Sequence, residues 1–495
     1  MGKRLLQKVS RKNDGSSVSG KGKIPILKVV QVLVAAVIGF YVAFLVSTTR
    51  QATSLSDGAT PERIQPDSSS SSSSVQRKAA EMDNPQQSST TATITIGYAV
   101  SVTGCGSDPL EEGAAVLKHS IHLTSIHGNT GNNTTSNKSG KYDYQMYAIY
   151  HPQAAPCVAS LQELGYILLE RDTPIAVADM EGDWLRTHIE KNGCCGEKEL
   201  IKLEAYTLIQ HPVVVHLDLD VLILQPLDPL FDAMIQGATA SNAQSRIKVQ
   251  WPEKPFTEQP NAFITRDYNM NRPGNPYPPV QGGFLVVRPD MAVYQEYLDI
   301  IKKGDFQEGK GWGGKVGAFY GGMTIQGLVP YYYDVLHPHD VVELDPCQYN
   351  QMCNNPRDKP TVNDIVNGRC RTGQDECQDC RSLPLEQVIT THFTLCQKPW
   401  WCLPQDEDRI QSRLCRKLHH AWYQTRSSLE VSWGRPAFGK YRNHKWKQGD
   451  HFFGFCRGAG GQGYIPIAKP YGTPIAKPYG RAKPTTTNNK DAAES

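Results

Sequence analysis

From about residue 93 onward, the chain alternates short apolar runs rich in β-branched residues with amphipathic stretches of helical period. The runs that predict strands are 93–102, 144–151 and 213–224, and the stretches that predict helices are 113–123 and 198–209. Alternation of strands and helices is typical of a mixed, mostly parallel sheet flanked by helices. We therefore predict an α/β fold that binds its ligands beyond the carboxyl ends of the strands.

A separate apolar run lies near the N-terminus, at residues 29–46, where Gln31 is the only strongly polar side chain. As a helix it is roughly 27 Å long, enough to span a thin bilayer. Eight Lys and Arg residues and a single Asp precede it, so the positive-inside rule places residues 1–28 in the cytosol. A cleaved signal peptide is the alternative, but the leader is long and the sequence after the run fits a cleavage site poorly. The pattern favours a single-pass type II membrane protein with a luminal main domain.

Low-complexity sequence flanks the predicted globular region on both sides. Residues 47–91 are rich in Ser, Gln, Thr and Asp and predict a disordered stem. The heptapeptide PIAKPYG occurs twice within residues 465–495, which predict a disordered, proline-rich tail. Between these ends we expect one main domain at 92–402 and a C-terminal extension at 403–464.

The cysteines agree with an oxidising, luminal compartment. Eight of the 13 lie in the segment 347–415, which has few apolar residues with which to form a core. Such segments are usually held by disulfide bonds. A zinc site at Cys377 and Cys380 is the alternative, but this CxxC pair has no second pair at the usual separation. Three sequons are candidate glycosylation sites: Asn132, Asn133 and Asn137.

The charge balance argues against a nucleic-acid partner. The formal net charge is +3, and the 52 Lys and Arg residues are interspersed with 49 Asp and Glu residues. The sequence has no large basic field of the kind that a nucleic-acid-binding surface usually has. We therefore expect no nucleic-acid binding.

Two carboxylates separated by one residue, Asp218 and Asp220, follow the apolar residues 213–217. Negative charges at the end of a buried strand are costly unless something compensates them. A hard divalent cation, Mn²⁺ or Mg²⁺, does so and keeps coordination positions for substrate phosphates. Alternatively, one Asp caps a turn and the other forms a salt bridge, which is common for an isolated D-x-D pattern. The choice depends on the surrounding sequence.

The surrounding sequence resembles family 8 glycosyltransferases, the glycogenin-like group. Residues 211–232 read HPVVVHLDLDVLILQPLDPLFD, similar to the D-x-D segment of that family. Residues 392–400 read HFTLCQKPW, similar to its H-F-x-G-x-x-K-P-W box. The stretch LIKLEAYTL resembles the helix that precedes the D-x-D segment. The resemblance covers about residues 93–401 and implies a GT-A-like, Rossmann-type fold.

The resemblance also implies a set of site residues. It makes Asp218, Asp220 and His392 the metal ligands. Lys398 is expected to contact the donor diphosphate, and Lys202, in the preceding helix, to contact the donor as well. These roles come from the matching motif positions alone.

Two further segments match more loosely. VQGGFLVVRPD resembles the family's N-x-G strand, which implies that Gln281 and Gly282 bind the donor, although Gln281 replaces the usual Asn. GGMTIQGLVPYYY resembles a D-Q-x-x-x-N segment and implies a catalytic role for Gln326 beside the reacting sugar carbon. Ile325 replaces the family's Asp there, and Leu395 replaces the glycine of the H-F-x-G box.

The function implied is a metal-dependent, retaining glycosyltransferase that moves a hexosyl group from a UDP-sugar. The acceptor is a glycan, a lipid or a protein, and the location is the Golgi or ER membrane. One alternative is a luminal metal-dependent phosphohydrolase, which normally needs more clustered carboxylates than surround Asp218. The other is a catalytically inactive binding or scaffold protein, which the replacements at Gln281, Ile325 and Leu395 make credible.

Overall fold

A computed structural model describes most of the region that the sequence predicts to be globular. The described residues are 93–106, 109–129, 139–250, 255–271, 274–353, 379–403, 413–435, 452–456 and 463–467. The predicted membrane anchor, the stem, the three sequons and most of the predicted tail lie outside these ranges. Within them, no helix is both long enough and apolar enough to cross a bilayer.

Strands and helices succeed each other along the described chain in the predicted alternation. The strands are β1 (Thr95–Val102), β2 (Asp143–Tyr150), β3 (Ile167–Glu170), β4 (Val214–Leu217), β5 (Val221–Ile223), β6 (Ala262–Arg266), β7 (Val280–Val287), β8 (Phe306–Gln307), β9 (Gly311–Trp312), β10 (Val316–Gly317), β11 (Val341–Glu343) and β12 (Thr390–His392). The α-helices are α1 (Leu110–Thr124), α2 (Ala159–Glu163), α3 (Asp183–His188), α4 (Asp228–Gln236), α5 (Ser241–Gln250), α6 (Met291–Lys303), α7 (Ile325–Pro330) and α8 (Arg413–Ser432).

Shorter helical turns connect these elements. The 3₁₀ helices are Ile126–Asn129, Pro152–Cys157, Val177–Asp179, Ile189–Lys191, Gly196–Thr207, Gly237–Thr239, Cys380–Ser382, Leu385–Gln387, Pro399–Trp401 and Phe452–Gly454. A π-helix at Tyr331–Leu336 continues directly from α7.

Seven strands form the central sheet, in the order β11-β6-β7-β4-β1-β2-β3. Strand β1 pairs in parallel with β2 and β4, β2 with β3, and β6 with β11. Only β7 is antiparallel to its neighbours, β4 and β6. The sheet is therefore mixed and mostly parallel, which confirms the predicted fold class. Parallel β1 and β4 end at the same edge, and the D-x-D segment begins there.

Two apolar layers cover the sheet. Side chains alternate between the faces of a strand, so in β1 Tyr98 and Val100 belong to one core cluster and Ala99 belongs to the other. Helix α1 packs on the first face through residues such as Leu117, and the 3₁₀ helix Gly196–Thr207 packs on the second. The protein therefore has the three-layer arrangement of an α/β domain.

The run 213–224, predicted as one buried strand, is divided in two. Strand β4 ends at Leu217, and β5 leaves the central sheet to pair with β12 in a separate antiparallel ribbon. The three residues between β4 and β5 form the turn that carries both aspartates. An unbroken strand would have kept these carboxylates within the main sheet.

The helix predicted at 198–209 is present, but it is a 3₁₀ helix of 12 residues, Gly196–Thr207. Side chains at i and i+3 are aligned in a 3₁₀ helix because it has three residues per turn. Glu199 and Lys202 therefore lie on one face, with the ammonium group 3.5 Å from the carboxylate.

A third core cluster joins the C-terminal extension to the rest of the domain. Helix α8 buries one side, and its Trp422 packs in the same cluster as Phe393, Trp400 and Phe455. Disulfides confirm the sequence prediction; among the described residues they are Cys105–Cys157, Cys347–Cys380, Cys396–Cys415 and Cys402–Cys456. Because Cys380 is in a disulfide, it cannot also form the alternative zinc site.

The first residues of the predicted disordered tail are packed against the domain. The backbone N–H of Ile467 donates to Glu112 at 2.6 Å, and the side chain of Ile467 is buried. Beside it the fully buried Arg426 donates to the Tyr464 hydroxyl at 2.8 Å and lies 3.6 Å from Glu112. Contacts with the domain are therefore present as far as Ile467.

Candidate active site

Strand pairing brings the D-x-D turn and the H-F-T box together. Antiparallel pairing of β5 with β12 sets Val221 opposite His392. The backbone N–H of Phe393 donates to the carbonyl of Asp220 at 2.9 Å. These contacts hold His392 beside Asp220 although the two lie in distant parts of the sequence.

Three side chains converge at this point. Nε2 of His392 lies 3.2 Å from Oδ1 of Asp220 and 3.8 Å from Oδ2 of Asp218. One ligand atom from each residue lies within 4.8 Å of the other two. The structure therefore brings together the three residues that the sequence predicts as metal ligands; metal binding itself stays a prediction.

The donor set suits a hard divalent cation. Two carboxylates and one imidazole leave coordination positions for substrate oxygens. Nδ1 of His392 is buried and has no hydrogen-bond partner, so Nε2 is the nitrogen that faces the carboxylates. The residues present therefore fit Mn²⁺ or Mg²⁺.

Two lysines balance the charge of the carboxylates. Nζ of Lys202 donates to Oδ1 of Asp218 at 2.9 Å and to the carbonyl of Gly282 at 3.1 Å. Nζ of Lys398 donates to Oδ2 of Asp220 at 2.8 Å. Lys202 is buried among protein partners, whereas the side chain of Lys398 is 33% exposed. Of the two, Lys398 is therefore better placed to meet a ligand in solution.

The charges of the site shift its pKa values against the effect of burial. Burial alone raises the pKa of Asp218 and Asp220. The positive charges of Lys202 and His392 outweigh burial at Asp218, and those of His392 and Lys398 outweigh it at Asp220. The pKa of each aspartate is therefore below its usual value. Burial also lowers the pKa of His392, yet the negative charge of Asp220 outweighs it and the net shift is upward. Both aspartates are therefore ionised at neutral pH and can act as ligands.

A glycine in β7 makes room for these side chains. A Cβ added to Gly283 would lie 2.4 Å from Cε1 of His392 and 2.8 Å from Oδ2 of Asp218. Its carbonyl also accepts from the backbone N–H of Asp218 at 3.1 Å. No larger residue fits at position 283 without moving two predicted ligands. Gly283 was not predicted as a site residue, although a Gly-Gly pair inside a strand signals a close approach.

The predicted donor-binding residues of β7 lie beside Gly283. Oε1 of the buried Gln281 accepts from the backbone N–H of Gly283 at 2.6 Å. Gly282 packs near Ile325, whose Cγ2 is 3.1 Å from the position of an added Cβ. Ile325, where the family has Asp, is fully buried in the second core cluster. This replacement removes a carboxylate and extends the apolar core.

A cleft of about 940 Å³ opens over the site, and Gln326 contributes to its wall. Nε2 of Gln326 lies 3.9 Å from the sulfur of Met270, another residue of the wall. Leu395, where the family has Gly, also lines the cleft and is 52% exposed. Lys398 and Trp400 lie there as well, with the ammonium group 5.6 Å from the ring centre.

Asp267 is a further wall residue, one that was not predicted from the sequence. It is 3% exposed, and its Oδ1 has no hydrogen-bond partner. Burial raises the pKa of its carboxyl group. A buried carboxyl oxygen without a partner at a cleft wall is a candidate ligand-binding group. No local motif marks Asp267, so only the fold could reveal it.

Comparison with family models and with curated protein sequences gives no match. Among solved structures, apo mouse xyloside xylosyltransferase 1 is 12% identical, with 60% of this chain and 97% of that chain covered and a TM-score of 0.35. The glycosyltransferase GlyE of Streptococcus pneumoniae is 12% identical, with 69% and 64% covered and a TM-score of 0.33. The galactosyltransferase LgtC, solved with donor and acceptor sugar analogues, is 12% identical, with 68% and 96% covered and a TM-score of 0.33. Likeness at this level carries no functional inference.

Proposed function

We propose that this protein is a metal-dependent glycosyltransferase that transfers a hexosyl group from a UDP-sugar to a glycan, lipid or protein acceptor. The observation that carries the proposal is the convergence of Asp218, Asp220 and His392 at a cleft that Lys398 also lines. Such a set suits a ligand that has both a diphosphate and a bulky polar group. The 940 Å³ volume is in the range of small-molecule sites and accommodates a nucleotide-sugar.

The side chains of the site have separate tasks in this reaction. A divalent cation bound there supplies positive charge for the donor phosphates. Lys398 adds a second positive charge for the diphosphate as the bond to the sugar breaks. Lys202 holds the carboxylate of Asp218 in place. In a cleft that closes over its substrate, such fixed charges contribute several kcal/mol to lowering the barrier.

We infer that the sugar lies against the wall formed by Asp267, Gln281 and Gln326. Gln326 then faces the reacting carbon and stabilises the positive charge that develops on the sugar. Transfer with retention of configuration follows from the family resemblance and needs no strong general base at Gln326. The carboxyl of Asp267 accepts a hydrogen bond from a sugar hydroxyl.

The proposed location is the luminal face of the Golgi or ER membrane, with residues 29–46 as the anchor. Four disulfides among the described residues are in keeping with an oxidising compartment.

The test is a transfer assay on the full-length protein in detergent. UDP release is measured for a panel of UDP-sugars with Mn²⁺, with and without simple sugar acceptors, and products are identified by mass spectrometry. We expect acceptor-dependent transfer from one donor and its loss with a chelator. Asp220→Asn should lower kcat/KM by at least about 100-fold, because loss of a metal ligand costs more than loss of the residues that orient it.

Asp299→Asn is the matched control, because Asp299 is exposed on α6. It should keep wild-type activity. Binding of UDP without transfer from any donor would favour the inactive binding protein. Cleavage of the donor to UMP and a sugar phosphate, at equal rates with and without acceptors, would favour a phosphohydrolase. Either result overturns the transferase.

A further inference from the structure

Two adjacent cysteines lie at the rim of the cleft, apart from the predicted metal-binding and donor-binding residues. Cys194 and Cys195 join the 3₁₀ helices Ile189–Lys191 and Gly196–Thr207, and their sulfurs are 2.7 Å apart. This is well inside the separation of about 3.5–4.0 Å at which non-bonded carbon atoms pack best. The fold therefore holds the two thiols in direct contact.

The backbone on either side is shaped to hold this pair. Gly193 and Gly196 have φ angles of +67° and +62°, a region that other residues rarely adopt. A Cβ added to Gly196 would lie 2.4 Å from the carbonyl of Glu190. The Cys-Cys segment therefore lies between two tight turns that favour glycine.

Reagents in solution can reach the pair. Cys194 is exposed and Cys195 is half-buried. Both line the main cleft, and both also line a second cavity of about 720 Å³. The two sulfurs lie where these cavities adjoin, so a small disulfide molecule has access from the solvent.

We propose that Cys194 and Cys195 form a vicinal disulfide, a reversible modification site in the wall of the cleft. Of the described cysteines, eight are joined in four disulfides and only Cys194, Cys195 and Cys353 are free. The oxidising conditions that form those four bonds act on an exposed thiol pair as well.

The oxidant is a small-molecule or protein disulfide, and the exchange balances. The thiolate of Cys195 attacks the oxidant's disulfide, forms a mixed disulfide and releases one thiolate, which takes up a proton. The thiolate of Cys194 then attacks the Cys195 sulfur of the mixed disulfide and releases the second thiolate. Two thiols are oxidised to one disulfide, and one disulfide is reduced to two thiols. Cys195 acts first because a hydrogen bond from Cys194 lowers its pKa to about 7.

This disulfide is more easily reduced than the four disulfides among the described residues. Adjacent Cα atoms are about 3.8 Å apart across a trans peptide, whereas disulfides usually join Cα atoms about 4.4–6.8 Å apart. A disulfide between adjacent cysteines closes a small ring through the peptide bond that joins them, and this ring is therefore strained. Strained and exposed disulfides have more oxidising potentials than unstrained, buried ones. The pair can open under conditions that leave the other disulfides intact.

The pair is linked to the wall of the candidate active site. Oδ1 of Asn192 accepts from the backbone N–H of Met323 at 3.0 Å. The hydroxyl of Thr324 donates to Glu199 at 2.6 Å. Closing the disulfide ring between these two contacts restrains Met323 and Thr324, which lie three and two residues before Gln326.

The pair can be examined by peptide mapping of the full-length protein. The protein is purified without reductant, denatured in N-ethylmaleimide and digested with trypsin. Cleavage after Lys191 and Lys198 releases NGCCGEK, which contains no other cysteine. We expect this peptide to be unlabelled and lighter by two hydrogens than its dithiol form. It should carry two N-ethylmaleimide labels only when the protein has first been reduced. Two labels without reduction, or a bond from either cysteine to Cys105, Cys157 or Cys353, would overturn the proposal.

Single variants and graded reduction complete the experiment. In Cys194→Ser the remaining Cys195 should take one N-ethylmaleimide label without reduction, and in Cys195→Ser the remaining Cys194 should do the same. If the remaining cysteine stayed unlabelled in either variant, the pairing of Cys194 with Cys195 would be contradicted. A mild dithiol that opens the pair but leaves Cys347–Cys380 closed should speed hydrogen exchange in 321–326 by at least about tenfold. Unchanged exchange there would refute the link to the wall. Neither readout depends on the glycosyltransferase proposal.

Discussion

The ammonium group of Lys398 donates a 2.8 Å hydrogen bond to Oδ2 of Asp220, across a separation of 178 residues. The lysine side chain is 33% exposed, while the aspartate side chain is 8% exposed. Lys398 therefore connects a buried carboxylate of the predicted metal site with the open cleft. Its position explains how the H-F-T box supplies two charged groups to the site, His392 from a strand and Lys398 from the loop that follows.

Lys398→Met should weaken binding of UDP in the presence of Mn²⁺ by about 10- to 100-fold. A hydrogen bond to a charged group contributes about 1.5–3 kcal/mol, which corresponds to that range. Isothermal titration of the full-length protein measures the change. Lys303→Met, at an exposed position in α6, should bind UDP as the wild type does. Equal affinity in Lys398→Met and the wild type would exclude a diphosphate contact.

Gly283→Ala should lower activity on the order of 100-fold, because its methyl group occupies space taken by His392 and Asp218. A displacement of reacting groups by about 1 Å can cost that much. Steady-state kinetics and UDP titration with Mn²⁺ measure the effect. Gly104→Ala is the control, since an added Cβ there meets no atom within 4 Å. Wild-type kinetics in Gly283→Ala would show that the side chains of His392 and Asp218 are not arranged as described.

Asp267→Ala should reduce kcat/KM for sugar transfer by about 10- to 100-fold and leave the affinity for UDP unchanged. Its unpartnered, buried Oδ1 is expected to bind the sugar, and loss of a charged hydrogen bond costs about 1.5–3 kcal/mol. Asp267→Asn keeps the shape of the side chain and one acceptor oxygen, so its activity should lie between that of the wild type and that of Asp267→Ala. A parallel loss of UDP affinity in both variants would assign Asp267 to the nucleotide instead.

Stability should fall as the pH drops below about 6.5, partly because of His419. Burial lowers the pKa of this imidazole to about 4, while in the unfolded chain it is about 6.5. Between these values the unfolded state binds a proton that the folded state does not, so unfolding becomes easier as the pH falls. One such group contributes a slope of up to about 1.4 kcal/mol per pH unit. The free energy of unfolding, measured by urea titration from pH 7 to 4, should fall less steeply with decreasing pH in His419→Gln than in the wild type. An identical slope in the two proteins would refute this role of His419.

The fold class followed from the sequence because the alternation of apolar runs is a local signal. The division of residues 213–224 into β4 and β5 did not, because it depends on the pairing of β5 with β12 from a distant part of the chain. Without that pairing, the proximity of His392 to Asp220 could be inferred only from a family resemblance. The structure supplies a physical reason for it.

The site was predictable where residues belong to a motif and hidden where they do not. Asp218 and His392 lie in recognisable segments, whereas Asp267 has no distinctive neighbours and is marked only by burial and an unpartnered oxygen. The 3₁₀ geometry that aligns Glu199 with Lys202 was also hidden, because helical periodicity in a short stretch does not distinguish three from 3.6 residues per turn.

Arg426→Met should destabilise the protein by about 3–5 kcal/mol, because it leaves Glu112 buried without its positive partner and removes one of the two arginines, Arg426 and Arg435, that pair with Glu430. It also removes the donor to Tyr464, so residues 463–467 should detach from the domain. Chemical denaturation measures the first effect and hydrogen exchange at Ile467 the second. Arg413→Met, at an exposed position of the same helix, should change neither. Adding Glu112→Gln to Arg426→Met should restore part of the stability, since a neutral amide is less costly to bury than an unpaired carboxylate. If exchange at Ile467 stayed slow in Arg426→Met, the buried ion pair would not be what holds residues 463–467 on the domain.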